Sequence, residues 1–334
     1  MAEQRFLLVR LGSLGDVVHA LPAAGAVRAA FPDARIDWAV DPRWARLLEG
    51  NPHLSSVIPF DRKSLGGIRA TVRVLRAARY TCVVDFQALY KSAFLAFSSR
   101  APRRIGFASA YAREGLAAYL YTERLNPRGP HKVDHNLTLA YAAGAKPSAT
   151  QFPLAILPED DEAVGRDLTA RNLSRFFVLN PGGGWRSKCW PPERYGELCK
   201  ILSDRYQIPG VISIGPGEEP LAAAAIAPAG KAAPISLLLP LGPLLALLRR
   251  AQFIVSADTG PLHLASALGT PVIGLYGPTD PARNGPYSKC DIAIRNPRWA
   301  ETTYNRGTSY SKSMLSISVE QVAAVVARRL GESA

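Results

Sequence analysis

The sequence predicts an α/β protein made of two doubly wound, Rossmann-like domains in tandem. Three observations predict it. Short apolar runs alternate with helical stretches in both halves of the chain. Several runs end at glycine-rich turns, as strands do where they feed helices in such folds. The length of 334 residues suits two domains of roughly 150 residues each.

Taken in order, residues 5–11 (RFLLVRL) are an apolar run ending at glycine, the pattern of a buried parallel strand. Gly12-Ser13-Leu14-Gly15-Asp16 is a tight turn. Residues 17–31 are a helix in which Pro22 predicts a kink or an irregular first turn. A second strand follows at 36–40, a helix at 42–48, a short strand at 56–60 and a strongly basic helix at 68–79. Residues 80–86 (YTCVVDF) are another buried strand. The acidic, proline-led stretch 158–162 marks where a helix or linker begins, which divides the chain into 1–157 and 158–315. Strands are then predicted at 175–180, 211–214, 253–256 and 271–276. Helices are predicted at 191–205, 243–250 and 262–268. A last helix, 318–330, carries Val319, Val322, Ala323, Val326 and Leu330 at helical spacing.

Composition removes several classes. With 48% hydrophobic and 20% charged residues, the chain is neither disordered nor fibrous. No stretch approaches ~20 uninterrupted apolar residues, so no membrane span is expected. The longest candidate, 237–248, is broken by Pro240, Gly242 and Pro243. The first residues lack signal-peptide architecture, and the four cysteines form no CxxC pair. A cytoplasmic protein with reduced thiols is therefore expected. Residues 1–155 hold 21 Lys/Arg against 11 Asp/Glu, whereas residues 156–334 hold 19 against 16. A basic half beside a near-neutral half predicts an anionic partner for the first. Nucleic acid is not expected, because no zinc finger, basic helix or aromatic–basic interleaving appears.

Four loops can carry chemistry, and each also has a plainer reading. Asp16, after the first strand, can accept a proton from a hydroxyl nucleophile, or simply cap a helix. In the loop 180–188, three glycines offer backbone N–H groups for an anion, and Lys188 adds a charge suited to phosphate. That loop can equally be an ordinary glycine-rich connection. Asp258, Thr259 and Gly260, with Pro261 near a helix start, can seat a diphosphate. His263 lies one turn further in. A capped helix with a partly buried histidine explains the same residues. Glu218, in Gly215-Pro216-Gly217-Glu218-Glu219, can accept hydrogen bonds from a ribose, or lie in a solvated turn. Two basic groups, one from Arg62 to Arg79 and one including Arg100, Arg103, Arg104 and Arg113, suit capture of carboxylate or phosphate, or cover solvated helix faces. They can also meet an anionic membrane surface.

Together these segments resemble the bacterial heptosyltransferases, glycosyltransferase family 9. The matching pieces are RLGSLGDVVHALPA (10–23), DFQALYKSA (85–93), NPGGGWRSKCWPPERYGEL (180–198), GPGEE (215–219) and SADTGPLHLASALGTPVIGLYGPTDP (256–281). They run in the family's order over almost the whole chain. Residues 85–93 and 113–125 look most like the lipopolysaccharide heptosyltransferase I group. The resemblance implies a GT-B fold, with two Rossmann-like domains facing a cleft, acceptor on the first and nucleotide sugar on the second. It implies that the C-terminal helix, within 316–334, crosses back to join the first domain.

The same resemblance assigns roles. Asp16 matches the general base and Lys188 the lysine on donor phosphate and sugar. Ser13, Gly183, Gly184, Ser187, Glu218, Asp258, Thr259, Gly260 and His263 are expected to bind donor. Arg62, Lys63, Lys91 and Arg113 are expected to meet acceptor. Where the heptosyltransferase I group places hydroxyl residues ahead of the lysine, this chain has Gly183 and Gly184, whose backbone N–H groups would replace those contacts. The implied donor is ADP-L-glycero-β-D-manno-heptose, and the implied acceptor is the anionic Kdo–lipid A, at the inner face of the inner membrane. No metal-ligand cluster is visible, so no bound cofactor is expected. A member using another nucleotide sugar or a later heptose acceptor, or a non-catalytic binding protein, are the alternatives. A Rossmann oxidoreductase is disfavoured, because GSLGD is not GxGxxG.

Overall fold

The computed structural model describes residues 3–299, 301–303 and 306–331. The chain divides into two compact units, one up to Ala155 and the other from Ile156. The division falls two residues before the one expected from the acidic stretch.

The first unit is a parallel six-stranded sheet. Its elements are β1 (Arg5–Val9), α1 (Leu14–Ala30), β2 (Arg35–Val40), β3 (Ser56–Pro59), α2 (Leu65–Ala77), β4 (Cys82–Asp85), α3 (Tyr90–Ser98), β5 (Arg103–Phe107), β6 (Glu123–Leu125) and α4 (Lys132–Ala142). Strand order is β3-β2-β1-β4-β5-β6. The order reverses between β1 and β4, so the crevice for ligands lies at the carboxyl ends of those two strands. β1 occupies the centre because Phe6, Leu7, Leu8 and Val9 are all fully buried, as a strand covered on both faces requires. Each such side chain contributes about 1.5–3 kcal/mol through burial. α1 runs through Pro22 unbroken, so the expected irregularity in its first turn is absent. The predicted helix at 42–48 is instead a 3-10 turn, opened by the Asp41 carboxylate accepting from Arg43 N–H.

The second unit repeats the plan. It comprises α5 (Pro158–Ala170), β7 (Phe177–Asn180), α6 (Pro192–Tyr206), β8 (Gly210–Ile214), α7 (Glu219–Ile226), β9 (Ile235–Leu238), α8 (Leu241–Arg250), β10 (Ile254–Ala257), α9 (Gly260–Ala267) and β11 (Val272–Tyr276). After these come α10 (Pro281–Asn284), β12 (Ile292–Arg295), α11 (Lys312–Leu315) and α12 (Val319–Arg329). The order β12-β11-β10-β7-β8-β9 is that of the first sheet, with its reversal between β7 and β10.

The terminal helix departs from expectation. Val322, Val325 and Val326 of α12 are buried in the second unit's core with Leu198 and Leu202 of α6. Trp190 Nε1 and Arg194 both donate to the Ile317 carbonyl just ahead of it. The helix therefore belongs with the second unit, because its valine stripe is spent on α6. Residues 332–334 of the predicted terminal segment lie outside the described residues. Among the described residues no helix is long and apolar enough to cross a membrane.

Candidate active site

The first unit's reversal point is built around Asp16. Ser13 is the N-cap of α1 and Asp16 its third residue, so Asp16 is not the cap itself. Asp16 Oδ2 accepts from Ser13 N–H at 3.1 Å and from Ser13 Oγ at 3.0 Å. That is the reach-back half of a capping box. Its Oδ1 is held at 2.7 Å by both Arg10 and Lys132. Burial acts to raise the Asp16 pKa, but the charges of Arg10 and Lys132 outweigh it, with a smaller contribution from His19. The carboxyl is held well below its ordinary value and is ionised at neutral pH.

The turn that presents Asp16 is braced across the reversal. Leu11 N–H donates to Gln87 Oε1 at 2.7 Å, and Arg10 donates to the Phe86 carbonyl. Gln87 is itself fixed because its N–H donates to Asp85 Oδ1 at 2.8 Å, while Tyr121 donates to Asp85 Oδ2 at 2.7 Å. A side chain at Gly12, where φ is +153°, would meet Trp44 Nε1 at 2.8 Å. This glycine is needed for the close approach of the tryptophan.

Each passage leaving a carboxyl end of this sheet carries a cation, in the connection itself or at the start of the next helix. They are Arg10 after β1, Arg43 after β2, Arg62 after β3, Lys91 after β4, Arg113 after β5 and Lys132 after β6. Burial and then the nearby Arg62 charge push Lys91 below its ordinary lysine value. Arg43 and Arg62 both help to lower the Asp41 pKa. Arg62 and Lys91 thus share one electrostatic group. Lys63 and Arg113 are exposed.

The second unit's reversal point is more deeply buried. Asn180, the last residue of β7, donates to the Ser213 carbonyl at 2.8 Å. Its Oδ1 accepts from Ser256 Oγ at 3.2 Å and Thr259 Oγ1 at 3.1 Å. One amide thereby ties together the ends of β7, β8 and β10. Thr259 is the N-cap of α9, yet its hydroxyl turns inward to Asn180 and Ser256 and makes no cap bond. The first-turn N–H groups are left for an anion, while Thr259, expected to bind donor, spends its hydroxyl on Asn180 and Ser256. Lys188 lies buried beside this turn, donating to the Asp258 carbonyl, with Nζ 4.2 Å from the Trp185 ring centroid. His263 Nε2 is 3.0 Å from Asp258 Oδ1. Burial acts to raise the Asp258 pKa, but the His263 hydrogen bond and the charges of His263 and Lys188 leave it lowered. Glu218 Oε2 accepts from Gly215 N–H at 2.8 Å, and a methyl on Gly182 would collide with that carboxylate.

The expected residues therefore gather in two groups. Asp16 and Ser13 stand in the first unit. In the second, Lys188, Asp258, Thr259, Gly260 and His263 surround the start of α9, and a methyl added at Gly183 would point toward Cys189, with Thr259 and Lys188 next nearest. Glu218 stands across Gly182. Ser187 Oγ is buried without a hydrogen-bond partner among the described residues. Four contributors escaped the sequence reading. Arg10 and Gln87 lie in quoted segments but carried no assigned role. Asn180 is signalled only by its place at the end of a strand. Lys132 is 116 residues from Asp16 and reaches it because α4 packs on α1.

Comparison with known proteins decides the family. The family described as glycosyltransferase family 9 (heptosyltransferase) matches residues 68–314. The chain belongs to glycosyltransferase family 9. It is a glycosyltransferase, and its two doubly wound Rossmann-like domains are those of the GT-B fold. Lipopolysaccharide heptosyltransferase 1 of Escherichia coli K12 is 30% identical over 318 residues, covering 88% of this chain and 94% of that protein. Lipopolysaccharide heptosyltransferase 3 of the same organism is 25% identical, covering 96% of each. Among solved structures, a family 9 glycosyltransferase from Veillonella parvula superposes with a TM-score of 0.86 at 23% identity, covering 99% of this chain and 98% of that one. An E. coli heptosyltransferase solved with ADP gives 0.75 at 26% identity, covering 98% of each.

Proposed function

We propose that this family 9 enzyme is an inverting glycosyltransferase that moves L-glycero-D-manno-heptose from ADP-heptose to Kdo of the lipopolysaccharide inner core. The observation that carries this reading is the contrast between the two reversal points. One presents an ionised carboxylate, Asp16, amid a cation in every neighbouring passage. The other presents uncapped N–H groups beside a buried lysine. The first suits an anionic acceptor that must lose a proton, and the second suits a diphosphate leaving group. Relatives named lipopolysaccharide heptosyltransferase, and the related enzyme solved with ADP, support the donor and the acceptor class.

In this reading Asp16 takes the proton of a Kdo hydroxyl. The hydroxyl oxygen forms a bond to the anomeric carbon from the face opposite the diphosphate. The bond from that carbon to the phosphate oxygen breaks, ADP leaves with its electron pair, and configuration inverts. Lys188 and the α9 N-terminus stabilise the charge that collects on the diphosphate. Arg10 and Lys132 keep Asp16 ionised but weakly basic, so it receives the proton late, as the acceptor oxygen becomes acidic. Ser13 Oγ must give up its bond to Oδ2 when the acceptor hydroxyl arrives. Arg62, Lys63, Lys91 and Arg113 meet the acceptor's carboxylates and phosphates. The enzyme works in the cytoplasm at the inner face of the inner membrane, where its lipid-linked acceptor lies.

The test is ADP release from ADP-heptose with Kdo-terminated lipid A and, separately, with acceptors already carrying heptose. Release with the Kdo acceptor alone is expected. Preference for the heptosylated acceptor moves the enzyme to a later step. Release only from another nucleotide sugar overturns the donor.

A further inference from the structure

Apolar side chains are spread unevenly over the surface. Eight of the twelve large apolar side chains exposed among the described residues fall between Leu65 and Tyr119, in the first unit. On α3, Tyr90, Phe94 and Phe97 follow one another at i, i+4 and i+7, so they form a single outward stripe. The opposite face of α3 buries Ser92, Ala93, Leu95 and Ala96. The 3-10 turn Gly115–Leu120 packs against α3. It adds Leu116 and Tyr119, which are 65% and 68% exposed, beside Phe94 at 41% and Phe97 at 54%. Tyr90 N–H donates to Glu114 Oε2, which joins the head of the stripe to that turn.

Arginines frame the same strip. The Arg104 guanidinium lies 5.8 Å from the Phe97 ring centroid, and its Nε donates to the Leu120 carbonyl. The Arg124 guanidinium lies 5.1 Å from the Tyr119 ring centroid, and its Nε donates to the Ala118 carbonyl. α2 packs beside α3 and turns Arg69, Arg73 and Arg76 to solvent at helical spacing. Between residues 62 and 128 there are 13 Lys/Arg and 3 Asp/Glu. One of those acids, Asp85, is buried, and another, Glu123, is paired with Arg103.

We propose that the face formed by α2, α3 and the turn Gly115–Leu120 docks this enzyme on an anionic lipid bilayer. Its aromatic and leucine side chains enter the headgroup–acyl boundary, and its arginines meet lipid phosphates. An aromatic side chain with an apolar body suits that boundary. Arginine can lay its stem along apolar surface while its head stays with phosphate. Charge selects the occupant, since the net excess of ten positive charges between residues 62 and 128 disfavours a second copy of the same face and favours a negative surface. These elements follow β3, β4 and β5, so the face begins at the edge that carries Arg62 and Lys91. This proposal rests on the reading of a lipid-linked acceptor and goes beyond it by assigning the face.

The experiment is co-sedimentation of the full chain with vesicles of phosphatidylcholine alone and with added phosphatidylglycerol. Binding to the anionic vesicles, reduced by salt, is expected for the wild type. The variant Phe94→Gln/Phe97→Gln/Leu116→Gln/Tyr119→Gln should bind at least roughly tenfold more weakly, from the apolar area it withholds. The milder Arg69→Gln/Arg73→Gln leaves the apolar strip intact and should also weaken binding, which keeps the test valid if the fourfold variant does not fold. Turnover on a lipid-free Kdo oligosaccharide should be unchanged in both variants. Equal wild-type sedimentation with and without anionic lipid overturns the proposal, as does unchanged binding by the variants. A wild type that dimerises through this face without lipid and ignores vesicles also overturns it. Loss of all ADP release on the lipid-free acceptor would instead defeat the reaction reading and leave the vesicle result standing.

Discussion

The two reversal points share a strand order and differ in almost everything else. The first is made of side chains: Asp16 between Arg10 and Lys132, with cations in each adjoining passage. The second is made largely of backbone: glycines at 182–184, a helix start without a side-chain cap, and an asparagine that ties three strands together. The same topological crevice has thus been adapted twice. Charged side chains that can rearrange suit a large and variable anion. Fixed N–H groups with one buried lysine suit a diphosphate, whose shape is constant and whose charge rises during reaction.

Substitutions that convert one kind of site toward the other should reveal the difference. The largest effect is expected from Lys188→Met, which removes the buried charge but keeps most of the side-chain volume. It should lower kcat roughly 100- to 1,000-fold, the scale for losing a stabilising donor, while thermal stability changes little. Steady-state kinetics with a melting curve checks both. Gly182→Ala comes next. The added methyl must displace Glu218, so KM for the donor should rise about tenfold, as expected for one lost charge-assisted hydrogen bond, with KM for the acceptor unchanged.

Lys132→Met should act through Asp16. The Asp16 pKa is depressed in the folded protein, so its ion pairs add stability above the unfolded value and lose it as pH falls through the folded value. Without Lys132 the folded value rises. The acidic limb of the kcat profile should therefore move to higher pH, seen by assaying downward from pH 7 through and below the ordinary Asp value of about 4. An unmoved limb would remove Lys132 from the mechanism. The smallest effect is expected from Arg62→Gln/Lys91→Gln. These partly exposed cations should raise acceptor KM only several-fold, and the loss should fade in high salt.

The fold was legible where strands are central. Residues 6–9, 82–85, 177–180, 254–257 and 272–276 are buried on both faces, so their runs are largely apolar. The missed strands are β5, β6, β9 and β12. Three of these lie at sheet edges, and β5 lies beside one. β6 is only Glu-Arg-Leu, and β9 and β12 are four-residue runs with one buried residue each, too short for their apolar residues to set a period. Asp16, Lys188 and the Asp258–His263 block were legible because each sits in one short segment that follows a strand. Lys132 was not, because only the packing of α4 on α1 brings it to Asp16. The terminal helix is legible as amphipathic from the spacing of Val319, Val322 and Val326. Its stripe could not say which unit it covers.

The most direct test of the division of labour is Asp16→Asn, measured both for acceptor-dependent ADP release from ADP-heptose and for ADP affinity by calorimetry. Turnover should fall ~100-fold or more, on the scale of a lost general base, while ADP binds with unchanged affinity. Turnover that survives the substitution, or ADP affinity that falls together with it, would contradict a base at Asp16 that is separate from donor binding.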